Sequence, residues 1–375
     1  MKKIKVLHLT THLNVGGITT YIYLLGKNMD RNLYEIMVLS SGGEVSKRFH
    51  AMGIRTFDFP FRTKSELSPK IYLNLPKIIK LVKKESIDLI HAHTRVTQVM
   101  AWWIRQLTGV PYISTCHGFY KRRIGRRFFP AWGNHVVAIS VPVEGSLTNY
   151  FKVPTNQVST IFNAIDIKDL ETHAAHQDLQ KIRAEWQLGT SAPVIGIVSR
   201  IVQDKGHEYL IRAFGILIQK KYPDAKLLIV GEGPYQSKIQ ELTRKLNIFE
   251  SVRFIGTLND VTKALSVIDI FVLPAIWREG FGLSIVEAMA LKKPVIVTNI
   301  WALNALVQDH QNGLLVEPKD VGKLVTAMNE LLEHKALAEQ IGRAGYETVR
   351  KEFLIERMAE KMGDLYQKIL QENQK

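Results

Sequence analysis

Along the first half of the chain, short runs of apolar and β-branched residues alternate with longer stretches whose apolar positions recur every three or four residues. The short runs read as strands and the longer ones as amphipathic helices. Strands are predicted over Lys5–Leu9, Glu35–Leu39, Arg55–Phe59, Leu89–His91, Tyr112–Ser114 and Val136–Ile139, with helices between them, as over Thr19–Met29 and Thr94–Leu107. The pattern begins again at "APVIGIVSR". It continues through "KLLIVGEGP", "SVRFIGTL", "DIFVLPA", "KPVIVT" and "NGLLVEP", again with helical segments between. Such alternation predicts two successive α/β domains, each a doubly wound, Rossmann-like parallel sheet. The expected division is a first domain over 1–167, a polar linker rich in His, Gln and Asp over 168–192, and a second domain over 193–352. A long amphipathic helix over 353–375 is expected to pack back on the first domain. Open sheets of this kind bind ligands beyond the carboxyl ends of their strands, so two domains facing across a cleft would place their ligands there.

Composition narrows the class. With 46% hydrophobic and 23% charged residues over 375 positions, the chain is that of a soluble globular protein. Cys116 is its one cysteine, which excludes an intramolecular disulfide and a cysteine-based zinc site and fits a reducing, cytoplasmic setting. No apolar run approaches the roughly 18 residues that span a bilayer. The start, "MKKIKVLHLTTHLNVGG", mimics a signal peptide, but its apolar core, Val6 to Leu9 with His8 inside, is too short and reads as a first strand.

Charge is unevenly placed. Residues 1–167 hold 23 Lys and Arg against 9 Asp and Glu, whereas residues 168–375 hold 27 against 26. The net +15 thus belongs almost wholly to the first half, which predicts an anionic partner surface there. One cluster, "FYKRRIGRRFFPAW", mixes Lys121, Arg122, Arg123, Arg126 and Arg127 with Phe119, Tyr120, Phe128, Phe129 and Trp132. Aromatics that wedge into an interface, with cations that meet headgroups, suit peripheral attachment to a membrane. The same cations would equally hold an acidic or phosphorylated acceptor, and no recognised nucleic-acid module accompanies them.

Three motifs in the second half carry candidate chemistry. "VSRIVQDKGHEYLIRAF" ends a strand with Arg200 and places Lys205-Gly206 in the loop before a helix, which suits a diphosphate. "IVGEGP" is a glycine-bearing strand-to-helix turn with Gly231 and Glu232, and Pro234 is placed at the first helical position. "REGFGLSIVEAMALKKPVIVT" sets Glu279 in a loop before Gly280-Phe281-Gly282 and Glu287 in a helix starting near Leu283. That helix start offers free N–H groups to an anion. On spacing alone Glu287 is as well explained as a solvated first-turn glutamate. In the first half, His117 ends a strand in "YISTCHGFY", and His91 and His93 form an i, i+2 pair without an evident third ligand. An acceptor-facing or structural role therefore ranks above a metal site for that pair. Gly16-Gly17 follow the first strand without a full G-x-G-x-x-G pattern.

Taken in order, these motifs resemble family 4 retaining glycosyltransferases (group 1) of the GT-B fold. The likeness rests on Gly16-Gly17, "HGFY", "AISVPVEGSL", "NAID" and above all the block from 197 to 318 with Arg200, Lys205, Glu279 and Glu287. It implies a sugar donor activated as a nucleotide diphosphate, UDP-linked by expectation. The acceptor would be a hydroxyl of a lipid-linked or cell-envelope glycan, of lipopolysaccharide, capsule or glycolipid type. The alternatives are a soluble transferase making a small glycoside or storage polymer, and a non-catalytic sugar-nucleotide or nucleic-acid binder. By the resemblance Glu279 grips the sugar hydroxyls, Glu287 the ribose, and His117 orients the sugar. Arg200, Lys205 and the backbone of Phe281–Leu283 hold the diphosphate, with Gly16, Gly17, Gly231, Glu232, Gly280 and Gly282 lining the donor site. No Asp-x-Asp triad occurs, so no metal or other cofactor is expected. The chain departs from the family pattern in "NIWALNALV", where Trp301-Ala302 replace glycines and Ala305 stands for a glutamate. The expected location is the cytoplasmic face of a membrane, peripherally bound.

Overall fold

The computed structural model describes residues 3–120, 124–277 and 279–373, with only the backbone of Ile124 and Arg127. It divides into two compact units, 1–164 with 355–375, and 165–354.

In the first unit, β1 (Ile4–Leu9), β2 (Tyr34–Ser40), β3 (Arg55–Asp58), β4 (Leu89–Ala92), β5 (Tyr112–Cys116), β6 (His135–Ala138) and β7 (Val158–Thr160) form one parallel sheet in the order 3-2-1-4-5-6-7. The strands are buried almost throughout because helices cover both faces, which is why they read as unbroken apolar runs. Leu7, Leu9, Met37, Leu39 and Ile90 meet Ile71, Ile78, Val96, Met100 and Ile104 from the helices Pro69–Glu85 and Arg95–Thr108. The short edge strand β7 lies outside the sequence expectation. Strand order reverses between β1 and β4, which pair in parallel with His8 opposite His91.

The second unit repeats the plan with β8 (Val194–Val198), β9 (Lys226–Val230), β10 (Val252–Ile255), β11 (Ile270–Leu273), β12 (Val295–Thr298) and β13 (Leu314–Val316), in the order 10-9-8-11-12-13. Here the reversal falls between β8 and β11.

Two expectations need correction. The stretch 168–192 is not a free linker. It is largely taken up by the helices Ile167–Ala175, which starts one residue before it, and Leu179–Glu185, and both pack on Thr262–Val267 inside the second unit. Asp166 and Asp178 cap them, accepting from the backbone N–H of Asp169 and Lys181 at 3.0 Å each. Pro234 is not a first helical residue either, since the helix after "IVGEGP" starts only at Gln236. The C-terminal helix Ile355–Asn373 belongs with the first unit, where Tyr34 Oη donates to the Gly363 carbonyl at 3.0 Å. Among the described residues, no helix is long and apolar enough to cross a membrane.

Candidate active site

At the reversal point of the second unit, the loops after β8 and β11 are held edge to edge. The loop after β8 exposes Arg200, passes a single turn over Gln203–Lys205 and reaches Gly206 at φ 73°. A Cβ on Gly206 would stand 1.8 Å from the Pro274 carbonyl oxygen, so only glycine lets this backbone press against the β11 loop. The Ile276 N–H donates to the Asp204 carbonyl at 2.9 Å, and Thr298 Oγ1 donates to the Ala275 carbonyl at 2.5 Å. Lys205 Nζ then meets the Glu279 carboxylate in an ion pair, both side chains largely buried. The Gly280 N–H donates to the other Glu279 oxygen at 3.2 Å.

Gly282, at φ 92°, starts the helix Leu283–Ala290, whose first N–H groups lie beside that pair in the chain. Glu287, one turn in, has a different character. It is half-buried, and burial pushes its carboxyl up to about 8, with the negative Asp260 adding to the effect. The two glutamates thus differ in setting: Glu279 is paired with a cation, whereas burial raises the Glu287 carboxyl. Gly231, at φ 122°, lies against the end of β8, where a Cβ would stand 2.2 Å from the Ser199 carbonyl oxygen. Glu232 accepts from the Thr257 N–H at 3.4 Å. His207, which begins the next helix, is buried and held down to about 4 by burial, with Lys205 adding.

In the first unit the reversal point carries histidines. His8 from β1 and His91 from β4 sit opposite one another, and His93 follows β4. All three are at most 1% exposed. His8 Nδ1 lies 2.8 Å from His93 Nε2, and His93 Nδ1 lies 3.0 Å from His117 Nε2. His91 bonds Thr115 Oγ1 at 2.6 Å and Tyr366 Oη at 2.7 Å. Burial holds His8 and His117 at about 3 and drives His91 and His93 far down. His91 and His93 therefore face the interior, not an acceptor. The pair has a third histidine after all, which chain spacing could not show because it comes from a strand more than eighty residues away. A Cβ on Gly16 or Gly17, at the start of the helix Gly17–Asn28, would meet nothing within 4 Å, so this turn is open to a ligand. Tyr21 of that helix sets its ring edge-on to His117 at 4.8 Å.

The basic aromatic stretch needs the largest correction. Lys121, Arg122 and Arg123 lie outside the described residues, as does the side chain of Arg127. Arg126 is buried and not a surface cation. Its guanidinium stacks 3.6 Å over the Tyr120 ring and 5.1 Å from that of Trp132, with Gln98 Oε1 at 3.5 Å. Arg126 braces the aromatic cluster. Phe128 is exposed, while Phe129 packs on Trp102. Cys116 is buried with its thiol pushed up to about 12, a packing residue in its chemistry.

Comparison with known proteins agrees with this geometry. Residues 15–169 match the family model described as Glycosyltransferase Family 4, and residues 178–348 match that described as Glycosyl transferases group 1. The chain is 26% identical over 328 residues to an Escherichia coli UDP-Gal:alpha-D-GlcNAc-diphosphoundecaprenol alpha-1,3-galactosyltransferase, covering 84% of each. It is 26% identical to a Staphylococcus aureus capsular polysaccharide biosynthesis glycosyltransferase, CapM, covering all of both. Its fold superposes on Anabaena HepE, solved with UDP-glucose, with a TM-score of 0.84 at 19% identity, over 97% of this chain and all of that one. Two doubly wound parallel sheets, each with its strand order reversing beside candidate ligand residues, and two family models covering most of the sequence lead to one conclusion: the chain is a glycosyltransferase of family 4, with the GT-B fold.

Proposed function

We propose that this enzyme moves a sugar from a UDP-linked donor, with retention of configuration and without a metal, to a hydroxyl of a lipid-linked or envelope glycan. The observation that carries the reading is the Lys205–Glu279 pair beside exposed Arg200 at the reversal point of the second sheet. The leaving nucleoside diphosphate gains negative charge as the sugar–oxygen bond breaks. Arg200, Lys205 and the amides of Phe281–Leu283 stabilise that charge in place of a cation. Glu279 holds sugar hydroxyls and Glu287 the ribose, while His117 keeps the sugar-orienting role that the resemblance implies. The acceptor oxygen bonds to the anomeric carbon on the face the diphosphate leaves, and its proton passes to the departing phosphate oxygen. The E. coli relative named above supports the acceptor class.

The reading includes docking on an anionic membrane through the first unit. The helix Pro69–Glu85 supports it better than the stretch around Arg126. Lys70, Tyr72, Leu73, Lys77, Lys80, Lys83 and Lys84 are exposed on it, with Leu67 exposed just before. Its one acidic residue, Glu85, is tied to Arg55. Cations with interleaved apolar side chains match a surface of anionic headgroups.

Hydrolysis of a panel of nucleotide sugars, with and without EDTA, and the anomeric configuration of the product by NMR test the chemistry. Activity abolished by EDTA and restored by Mg²⁺ or Mn²⁺, or an inverted product, would overturn it.

A further inference from the structure

Six groups of the first unit form a single hydrogen-bonded file. In order they are Thr115 Oγ1, His91, Tyr366 Oη, His8, His93 and His117, with links of 2.6, 2.7, 3.4, 2.8 and 3.0 Å. Tyr21 Oη lies 3.5 Å from Thr115 Oγ1 at the inner end. His8, His91, His93, Thr115 and Tyr366 are almost wholly buried, and only His117, at the outer end, is half-exposed.

The file is not laid out as a metal site. Two nitrogens on one tetrahedral Zn²⁺, each at roughly 2.1 Å, stand about 3.4 Å apart. His8 Nδ1 and His93 Nε2 are at 2.8 Å, the separation of a hydrogen bond between them.

A neutral imidazole has one N–H and one bare nitrogen. Each interior ring uses both of its nitrogens in the file, so its tautomer dictates that of the next. Two arrangements use every N–H and O–H along the file, one with all donors pointing outward and one with all pointing inward. A reversal between two rings sets two N–H groups or two lone pairs head-on in a buried place, and a reversal at Tyr366, whose hydroxyl can accept from both His91 and His8, leaves its own O–H without a partner in the file; either costs about 1–3 kcal/mol. The inner end favours the outward direction, because the Tyr21 phenol is a better donor than acceptor towards Thr115.

We propose that His8, His91, His93, Thr115 and Tyr366 are positioning residues that, through this file, hold His117 in the tautomer with Nδ1–H turned outward as a donor to a hydroxyl of the sugar substrate. The inference rests on the reading that His117 meets the donor sugar. Burial of the file keeps the rings neutral, so His117 neither rotates freely nor gains charge as a ligand arrives.

The test is nitrogen-15 NMR of the imidazoles in the whole protein without substrate, beside donor hydrolysis kinetics. Wild type is expected to show His117 and His93 as Nδ1–H tautomers. Tyr366→Phe removes one hydroxyl and two links with little change of shape. It is expected to shift His117 toward the Nε2–H tautomer usual in water and to lower kcat/KM for the donor three- to tenfold. Thr115→Val is expected to act in the same direction, while Thr115→Ser, which keeps the hydroxyl, restores both readouts. A His117 found as Nε2–H or as a cation in wild type, or unmoved by Tyr366→Phe in a folded protein, would overturn the inference. His117→Phe with unchanged kinetics would instead remove the contact with the sugar while leaving the tautomer result standing.

Discussion

Lys205 and Glu279, 74 residues apart in sequence, form an ion pair that joins the loops after two neighbouring strands. The cation proposed to hold a diphosphate is thus already paired with a carboxylate. Replacing that carboxylate by an amide frees Lys205 for phosphate. Glu279→Gln is therefore expected to bind free UDP as tightly as wild type or several-fold more so, while transfer falls at least tenfold. Calorimetric titration with UDP checks it; weaker UDP binding would show that Glu279 organises the phosphate site instead of competing for its lysine.

Removing either cation acts the other way. On the proposed reading, Arg200→Ala and Lys205→Ala each delete a charge-assisted contact to the leaving group, costing about 2–3 kcal/mol at the transition state. Turnover is expected to drop by tens-fold to a few hundred-fold with the circular dichroism spectrum unchanged. Wild-type turnover in either variant removes that residue from the site.

Glu287 gives a stability signature. In the unfolded chain it ionises near its ordinary 4.5, in the folded protein near 8. Between those values the unfolded state holds fewer protons, so this group lowers stability as pH rises, by at most ~1.4 kcal/mol per pH unit. Below 4.5 it contributes no slope, and above 8 none further. Glu287→Gln is expected to match wild type near pH 4 and to exceed it increasingly towards pH 8 in chemical denaturation, while losing nucleotide affinity. Parallel pH profiles for the two proteins would contradict the raised carboxyl.

Docking to membranes separates two sets of cations. Changing Lys70, Lys77, Lys80, Lys83 and Lys84 to Gln is expected to abolish sedimentation with phosphatidylglycerol vesicles and to leave donor hydrolysis intact, since each lysine contributes roughly 1 kcal/mol near an anionic leaflet. Wild type is expected to release as salt rises. Arg126→Gln is expected to lower stability by unpicking the Tyr120–Trp132 stack, with little effect on vesicle binding. Full pelleting by the five-lysine variant would move the contact elsewhere.

Gly206→Ala tests the close approach of the two loops. A methyl 1.8 Å from the Pro274 oxygen, on a backbone at φ 73°, forces the loops apart. A loss of at least ~2 kcal/mol in urea unfolding is expected, together with weaker UDP binding because Lys205 moves with its neighbour.

The strands were legible because a parallel sheet covered on both faces leaves runs such as "IKVLHL" and "KPVIVT" almost wholly apolar. Arg200, Lys205, Glu279 and Glu287 were legible as a spaced motif, though their states were not, since a neutralising partner or a raised carboxyl depends on contacts across the fold. Arg126 misled because an arginine in a basic run reads as solvent-facing; its burial depends on two rings, each six positions away. The helices inside 168–192 had a local signal, an Asp three residues before the backbone N–H it caps, beneath a polar composition that suggested a linker. His8 carried a hint too, as a histidine inside a buried strand needs partners, but His93 just after a strand and Tyr366 in mid-helix are brought to it only by the fold.

Tyr366 sits between His91 and His8 yet lies 275 residues beyond His91 in the chain. The second unit, 165–354, is complete on the ribosome before the first can close its histidine file. At about 5–20 residues per second, the roughly 190 intervening residues impose a wait of about ten to forty seconds. During that interval the strands of the first unit carry imidazoles without their phenol, so the enzyme matures in the reverse of its reading order. A chain cut before Ile355 keeps the second unit whole, while its first unit lacks the phenol that bridges His91 and His8.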